Sequence, residues 1–169
     1  MDNNLKNTVT FTHRDILSVQ ADVFVSLIDY KGCVRRQAVY ANSIANVMSK
    51  TSLLKMEKYC RRKARTFAYI PSFIIGKKPG DFILSHSFGL NCREIIHVVS
   101  AFASHYLTRE KVAIIFLNSV FKYCCSQQYE TVAIPLFMIR NHEFERDYTY
   151  DLIQQVASVY PELQVIIVE

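Results

Sequence analysis

The hexapeptide TVAIPL, Thr131–Leu136, is an apolar run of the length of one buried strand, and it lies between two segments with helical periodicity. The segment before it begins at Thr108 and places apolar residues on one side, namely Val112, Ile115, Phe116, Val120 and Tyr123. The segment after it is predicted as a helix over residues 148–159, and a last strand follows at residues 164–168. This alternation predicts an α/β domain with helices on both faces of a mostly parallel sheet.

The first half of the chain contains similar elements. Strands are predicted at residues 8–12, 21–28, 81–87 and 94–99. The turn RDILSVQ separates the first two strands, and the last two are predicted to pair as a hairpin with a long loop. A helix with one buried face is predicted from Val34, and a second helix, LLKMEKYCRRKA at 53–64, is predicted to be N-capped by Thr51 or Ser52.

The bulk composition is that of a folded protein. With 169 residues and 50% hydrophobic residues, the chain is predicted to form a single domain over residues 1–169. A charged fraction of 21% without low-complexity tracts argues against disorder. The sequence has no long apolar stretch, and DNNLKN after Met1 lacks the apolar segment of a signal peptide. We therefore predict an intracellular, cytoplasmic protein with no membrane partner.

The five cysteines are odd in number and form no C-x-x-C pair. Neither a zinc site nor a full disulfide framework is indicated, and no metal or cofactor is expected. Reduced thiols buried as small apolar residues are the favoured interpretation. Cys33, which lies beside Gly32 and before a predicted helix, has the alternative of a reactive thiol if it is exposed.

Five segments together carry a family resemblance: FTHRDILSVQADVFVS at 11–26, KGCV at 31–34, LLKMEKYCRR at 53–62, PGDFILSHSFGLNCREIIHVVSA at 79–101 and AIPLFMIRNHEF at 133–144. In order and spacing they resemble the macro domain, an ADP-ribose-binding module of cellular proteins and viral polyproteins. The resemblance covers roughly Val9 to Val168. It implies a three-layer α/β/α sandwich with a central mixed sheet of about six strands. The loops after Ile28 and Leu136 are then expected to meet in a ligand cleft.

The resemblance also implies a ligand site. Asp15 and Ile16 match the family residues at the adenine, and Asp29 matches the asparagine at the distal ribose. The complete set of predicted ligand-binding residues is Asp15, Ile16, Asp29, Gly32, Cys33, Val34, Phe137, Met138, Arg140 and Asn141.

Both glycine-rich phosphate loops of the family are altered in this sequence. Gly32 is the glycine kept in the first loop, and Arg140 occupies a glycine position in the second. Because glycine lets backbone N–H groups converge on an anion, nucleotide binding is predicted to be weak. Arg140 either contacts the diphosphate or is a solvated loop arginine. Asp15 either accepts a hydrogen bond from the adenine amino group or caps the turn that follows it.

No catalytic residue is assigned, and the weak candidates are Asp29 and His142. Asp29 stands where hydrolytic family members use asparagine to position water, and its charge would oppose a diphosphate. His142 lies in a loop at a strand end, but no second base can be paired with it. His97 lies in an apolar strand and is interpreted as a core residue. Mono-ADP-ribosyl hydrolysis is therefore the third hypothesis.

Positive charge concentrates on one predicted helix of a chain whose net charge is +5. The predicted nucleic-acid patch, which also contains Tyr59, is Lys55, Lys58, Arg61, Arg62, Lys63 and Arg65. Such a stripe can contact phosphates, and a solvated helix face is the alternative. The first hypothesis is a non-catalytic module that binds ADP-ribose or a related adenine nucleotide. The second is a macro-fold scaffold that binds RNA, DNA or a protein partner through the basic surface.

Overall fold

The computed structural model of the protein describes residues 9–28, 44–66, 80–99, 109–136 and 146–169. The strands in these ranges are β1 Val9–Thr12, β2 Val23–Ile28, β3 Phe82–His86, β4 Glu94–Val99, β5 Thr131–Pro135 and β6 Gln164–Val168. The helices are α1 Ile44–Val47, α2 Lys50–Thr66, α3 Arg109–Ser126 and α4 Arg146–Ala157. The predicted turn between the first two strands is a 3-10 helix at Ile16–Ser18.

The six strands form one mixed sheet in the order β1-β6-β5-β2-β4-β3. Every neighbouring pair is parallel except β3 and β4, which pair antiparallel as the hairpin prediction required. The parallel strands all run in the same direction, so their C-terminal ends lie along one side of the sheet and their N-terminal ends along the opposite side. The carboxyl edge is the one at which Thr12, Ile28, Val99, Pro135 and Val168 end their strands, and the amino edge is the opposite one.

Helices cover both faces of the sheet. On one face α3 and α4 pack against a cluster that includes Val25, Ile96 and Ile134. On the other face α1 and α2 pack against a second cluster that includes Phe24 and Ile95. Alternate residues of one strand enter opposite clusters, as the two-residue period of a strand requires. The three-layer α/β/α sandwich with a central sheet of mixed strands is thus confirmed.

The inner side of α3 was only partly predicted. Phe116 and Val120 are buried as expected, whereas Ile115 is 37% exposed. The core also contains four α3 residues that the predicted set omitted, namely Ala113, Leu117, Phe121 and Cys124. The helix is apolar on most of its circumference, so its pattern does not specify which side faces the sheet.

The N-cap of α2 was predicted at Thr51 or Ser52, which is two to three residues too late. The helix begins at Lys50, and the Ser49 hydroxyl oxygen accepts a hydrogen bond from the backbone N–H of Ser52 at 3.2 Å. Ser49 is therefore the N-cap, because a side-chain oxygen at that position satisfies an unpaired N–H of the first turn.

One aspartate ties the strands together at the amino edge. Asp22 Oδ2 accepts hydrogen bonds from the backbone N–H groups of Glu130 and Thr131 and from the Thr131 hydroxyl, and Arg93 contacts Oδ1 at 3.0 Å. Burial raises the pKa of Asp22, but these hydrogen bonds and the Arg93 charge outweigh it and leave the pKa below its ordinary value. The ionised carboxylate thereby aligns the starts of β2, β4 and β5.

Within the described ranges, no helix is both long enough and apolar enough to cross a lipid bilayer.

Candidate functional site

The predicted cleft begins at the carboxyl edge, where β2 and β5 are neighbours. Val23 pairs with Val132 and Phe24 with Ala133, so the two strands run side by side in parallel. Their ends at Ile28 and Pro135 therefore open onto the same side of the sheet, which is where α/β folds bind ligands. The loops that follow these ends lie outside the described residues.

Asp15 lies three residues beyond the end of β1, at the same edge. Its side chain is exposed, and Oδ1 accepts a hydrogen bond from the backbone N–H of Leu17 at 3.0 Å. Asp15 is the N-cap of the 3-10 helix, and its carbonyl oxygen also accepts from the Ser18 hydroxyl at 2.7 Å. The capping interpretation is confirmed. It is compatible with ligand binding, because a carboxylate has about four acceptor positions and the cap uses one.

Ile16 holds this turn in place. Its side chain is 0% exposed and belongs to the cluster beneath α1 and α2, together with Ile28 and Ile44. Burying an isoleucine side chain contributes about 1.5–3 kcal/mol. The turn that presents Asp15 is therefore anchored in the core rather than suspended on the surface.

The other residues predicted for the cleft lie outside the described residues, and their roles stay predictions. They are Asp29, Gly32, Cys33, Val34, Phe137, Met138, Arg140, Asn141 and His142.

His97 is a core residue, as predicted. It is 0% exposed, and Nε2 lies 2.7 Å from the Ser85 hydroxyl oxygen. The Ser85 hydroxyl also donates to the His86 carbonyl oxygen at 3.1 Å, so we assign the proton to His97 Nε2. Nδ1 has no hydrogen-bond partner among the described residues, so the ring is only half satisfied. Burial lowers the pKa of His97 to about 3, which keeps the imidazole neutral and removes it from consideration as a catalyst.

The predicted basic patch lies on α2. Its exposed members Lys55, Lys58, Arg61, Arg62 and Lys63 define what we call the basic face, whereas the side chain of Arg65 lies outside the description. Arg61 forms an ion pair with Glu57 at 2.9 Å. A shallow surface depression along this helix is lined by Leu54, Glu57, Lys58, Arg61 and Arg62.

An aromatic cluster beside the basic face was missed by the sequence reasoning. Tyr59 of α2 meets His86 at the end of β3 and Phe88 just beyond it, with ring centroids 6.2 and 6.1 Å from that of Tyr59. The His86 and Phe88 rings are 3.8 Å apart. Phe88 has a φ of 52°, a left-handed conformation that costs a bulky residue roughly 1–2 kcal/mol. Hydrophobic periodicity does not predict a left-handed turn, so the sequence did not indicate that His86 and Phe88 pack together.

The cysteines in the described ranges form no disulfide bond. Cys60 and Cys124 are buried, and Cys92 and Cys125 are half-buried. Burial raises the pKa of both Cys92 and Cys124 to about 12, so these thiols are not nucleophiles near neutral pH. Within the part of the chain that the structure describes, no three histidine, cysteine or acidic side chains are grouped as a metal would require.

Several solved structures with the same architecture are macrodomains. The macrodomain of Thermus aquaticus DarG matches with a TM-score of 0.69 at 10% identity, over 95% of this chain and 97% of its own. A variant of the Oceanobacillus iheyensis macrodomain matches with a TM-score of 0.73 at 14% identity, over 100% of this chain and 89% of its own. The chain has the macrodomain fold. The macro domain of ganglioside induced differentiation associated protein 2 matches this macrodomain fold with a TM-score of 0.70 at 12% identity, over 99% and 79% of the two chains.

The resemblance stated from the sequence is therefore confirmed at the level of the fold. No protein-family model matches the sequence, and no curated protein matches it. At 10–14% identity the solved macrodomains establish the order of strands and helices.

Proposed function

We propose that this macrodomain is a non-catalytic module that binds ADP-ribose or a related adenine nucleotide. The observation that carries the proposal is the exposed carboxylate of Asp15 at the carboxyl edge, on the side where β2 and β5 end together. Structures of the Oceanobacillus iheyensis macrodomain contain ADP and ADPR, which supports an adenine nucleotide as the ligand class.

Asp15 suits the recognition of adenine. A carboxylate accepts hydrogen bonds, and the exocyclic amino group of adenine donates them. The anchored Ile16 keeps the turn rigid, so little conformational entropy is lost when a base binds.

The remainder of the proposed site would bind the ligand weakly. Arg140 and Asn141 would approach the diphosphate, and Asp29 would accept from ribose hydroxyls. Arg140 would supply charge in place of converging backbone N–H groups, so one long side chain would have to be ordered on binding. We do not propose a catalytic activity, because Asp29 stands where hydrolytic family members have asparagine.

Calorimetric titration of the protein with ADP-ribose at low salt tests the proposal. Two variants separate the roles of Asp15. Asp15→Ala removes both the cap and the carboxylate. Asp15→Ser keeps an oxygen that can cap the turn but removes the carboxylate that would accept a hydrogen bond from adenine. Saturable binding that is lost in both variants is the expected result.

Binding that is retained in Asp15→Ser and lost in Asp15→Ala would mean that Asp15 acts only through the turn. Absence of heat with the native protein at high ligand concentration would reject ADP-ribose as the ligand. Far-ultraviolet circular dichroism of each variant checks that the fold is kept.

A second function is supported by the charge of α2. Its sequence carries seven lysines and arginines and one glutamate, a net charge of +6, whereas the whole chain carries +5, so all other residues together carry −1. A charge concentrated in this way attracts polyanions. We therefore propose that the basic face binds RNA, DNA or an acidic protein, and a steep loss of affinity with salt would distinguish nucleic acid.

A further inference from the structure

The aromatic cluster and the basic face are parts of one continuous surface. Tyr59 lies on α2 between Lys55 and Lys63, and the Lys63 ammonium nitrogen lies 5.8 Å from the centre of the Tyr59 ring. Exposed His86 and half-buried Phe88 extend this surface from the helix onto the end of β3. Three aromatic rings are therefore bordered by the cations of α2.

The rings are held rather than loosely exposed. The backbone N–H of Phe88 donates to His86 Nδ1 at 3.2 Å, which restrains the orientation of the imidazole. Tyr59 and Phe88 also pack against the cluster beneath α2. Rings that are already ordered lose little rotamer freedom when a flat partner stacks on them.

We propose that the aromatic cluster stacks unpaired bases of a single-stranded nucleic acid whose phosphates contact the basic face. This inference depends on the second proposed function and adds the class of partner. An acidic protein would account for the cations but not for three ordered rings beside them. A duplex would present phosphates with its bases already stacked on one another, whereas single strands offer free base faces to aromatic side chains.

This surface is separate from the proposed nucleotide cleft. His86 pairs with Glu94, the first residue of β4, and so lies at the amino edge. Asp15 follows the end of β1 at the carboxyl edge. Changes to the aromatic cluster should therefore leave ADP-ribose titrations unaltered, and Asp15→Ala should leave strand binding unaltered.

Fluorescence anisotropy with labelled RNA tests the inference. The probes are a mixed-sequence single strand of about 12 nucleotides and a duplex of the same length, each titrated at several salt concentrations. The main variant is Phe88→Asn, because asparagine tolerates a left-handed conformation and keeps the backbone donor to His86. His86→Ala is a second variant on an exposed residue, and Lys122→Gln on exposed α3 surface is the matched charge control.

We expect the single strand to bind more tightly than the duplex, and Phe88→Asn to weaken it by roughly 5- to 100-fold with an unchanged salt slope. Lys58→Gln should lower the slope of log affinity against log salt by about 0.7, and Lys122→Gln should not. The inference would be overturned if duplex and single strand bound equally well, or if both aromatic variants kept the native affinity. Either result would leave the second proposed function standing. Absence of binding to labelled single strands of both RNA and DNA would overturn the inference and would also remove nucleic acid from the second proposed function. Equal competition by polyglutamate, with no effect of Phe88→Asn, would overturn the inference as well.

Discussion

Replacement of the buried histidine should change how the stability of the protein depends on pH. His97 is 0% exposed, and burial lowers its pKa from 6.5 to about 3. In the unfolded chain the ring regains its ordinary pKa, so between pH 6.5 and pH 3 the unfolded state binds a proton that the folded state does not. Stability must therefore fall as the pH drops through this window.

The size of the effect follows from those two pKa values. At pH 5 an unfolded histidine is protonated by about 30 to 1, which favours unfolding by about 2 kcal/mol relative to pH 8. His97→Leu removes this titration and leaves the Ser85 hydroxyl its carbonyl partner on His86. The stability difference between native protein and variant should shift by about 2 kcal/mol in favour of the variant between pH 8 and pH 5.

Urea unfolding at the two pH values, followed by circular dichroism, measures this shift. Ser85→Ala is the matched control, because it removes the partner of His97 Nε2 but keeps the imidazole. Its destabilisation, about 1 kcal/mol, should be nearly the same at both pH values. If His97→Leu shows the same pH dependence as the native protein, the burial argument is wrong.

Three further predictions concern the framework around the site. Gly80→Ala should lower the free energy of unfolding, measured in urea, by about 2 kcal/mol, and Gly89→Ala should lower it by about 1 kcal/mol. Both glycines have a φ near 90°. Only at Gly80 would the new Cβ also approach side-chain atoms of α3, at 2.8 and 2.9 Å. Equal costs would contradict this. Asp22→Asn should cost about 1–3 kcal/mol at pH 7. Because the folded pKa of Asp22 is lowered, that difference should shrink as the pH falls below 3.8, and a constant difference would refute it. Tyr123→Phe, which removes the 2.8 Å hydrogen bond to Glu94, should cost about 1 kcal/mol by the same measurement, and no loss would refute it.

The sequence predicted most of the framework. The bounds of β4 and β6 agree with the predicted strands at 94–99 and 164–168, because short apolar runs between polar residues have few other ways to be buried. The boundaries of α2 and α4 differ from the predicted ones by two or three residues, since caps depend on local hydrogen bonds that periodicity does not reveal. The buried side of α3 was predicted only in part, because a helix that is apolar on most of its circumference acquires its orientation from the sheet it covers.

Some of the candidate residues could also be predicted from the sequence. Asp15 as a cap and His97 as a core residue could be derived from neighbours along the chain, because both roles involve local hydrogen bonds or burial within one strand. The basic face could also be read from the spacing of its cations on one helix.

Only the tertiary structure brought Tyr59 to His86 and Phe88. The first residue lies on α2 and the other two at the end of β3, and no local rule connects them. The sequence by itself determined which segments form strands and helices, because each choice depends on residues a few positions apart. The order of the strands decided which strand ends are neighbours, and the packing of the helices decided which of their side chains contact the sheet. Both depend on the free energy of burying the whole core at once.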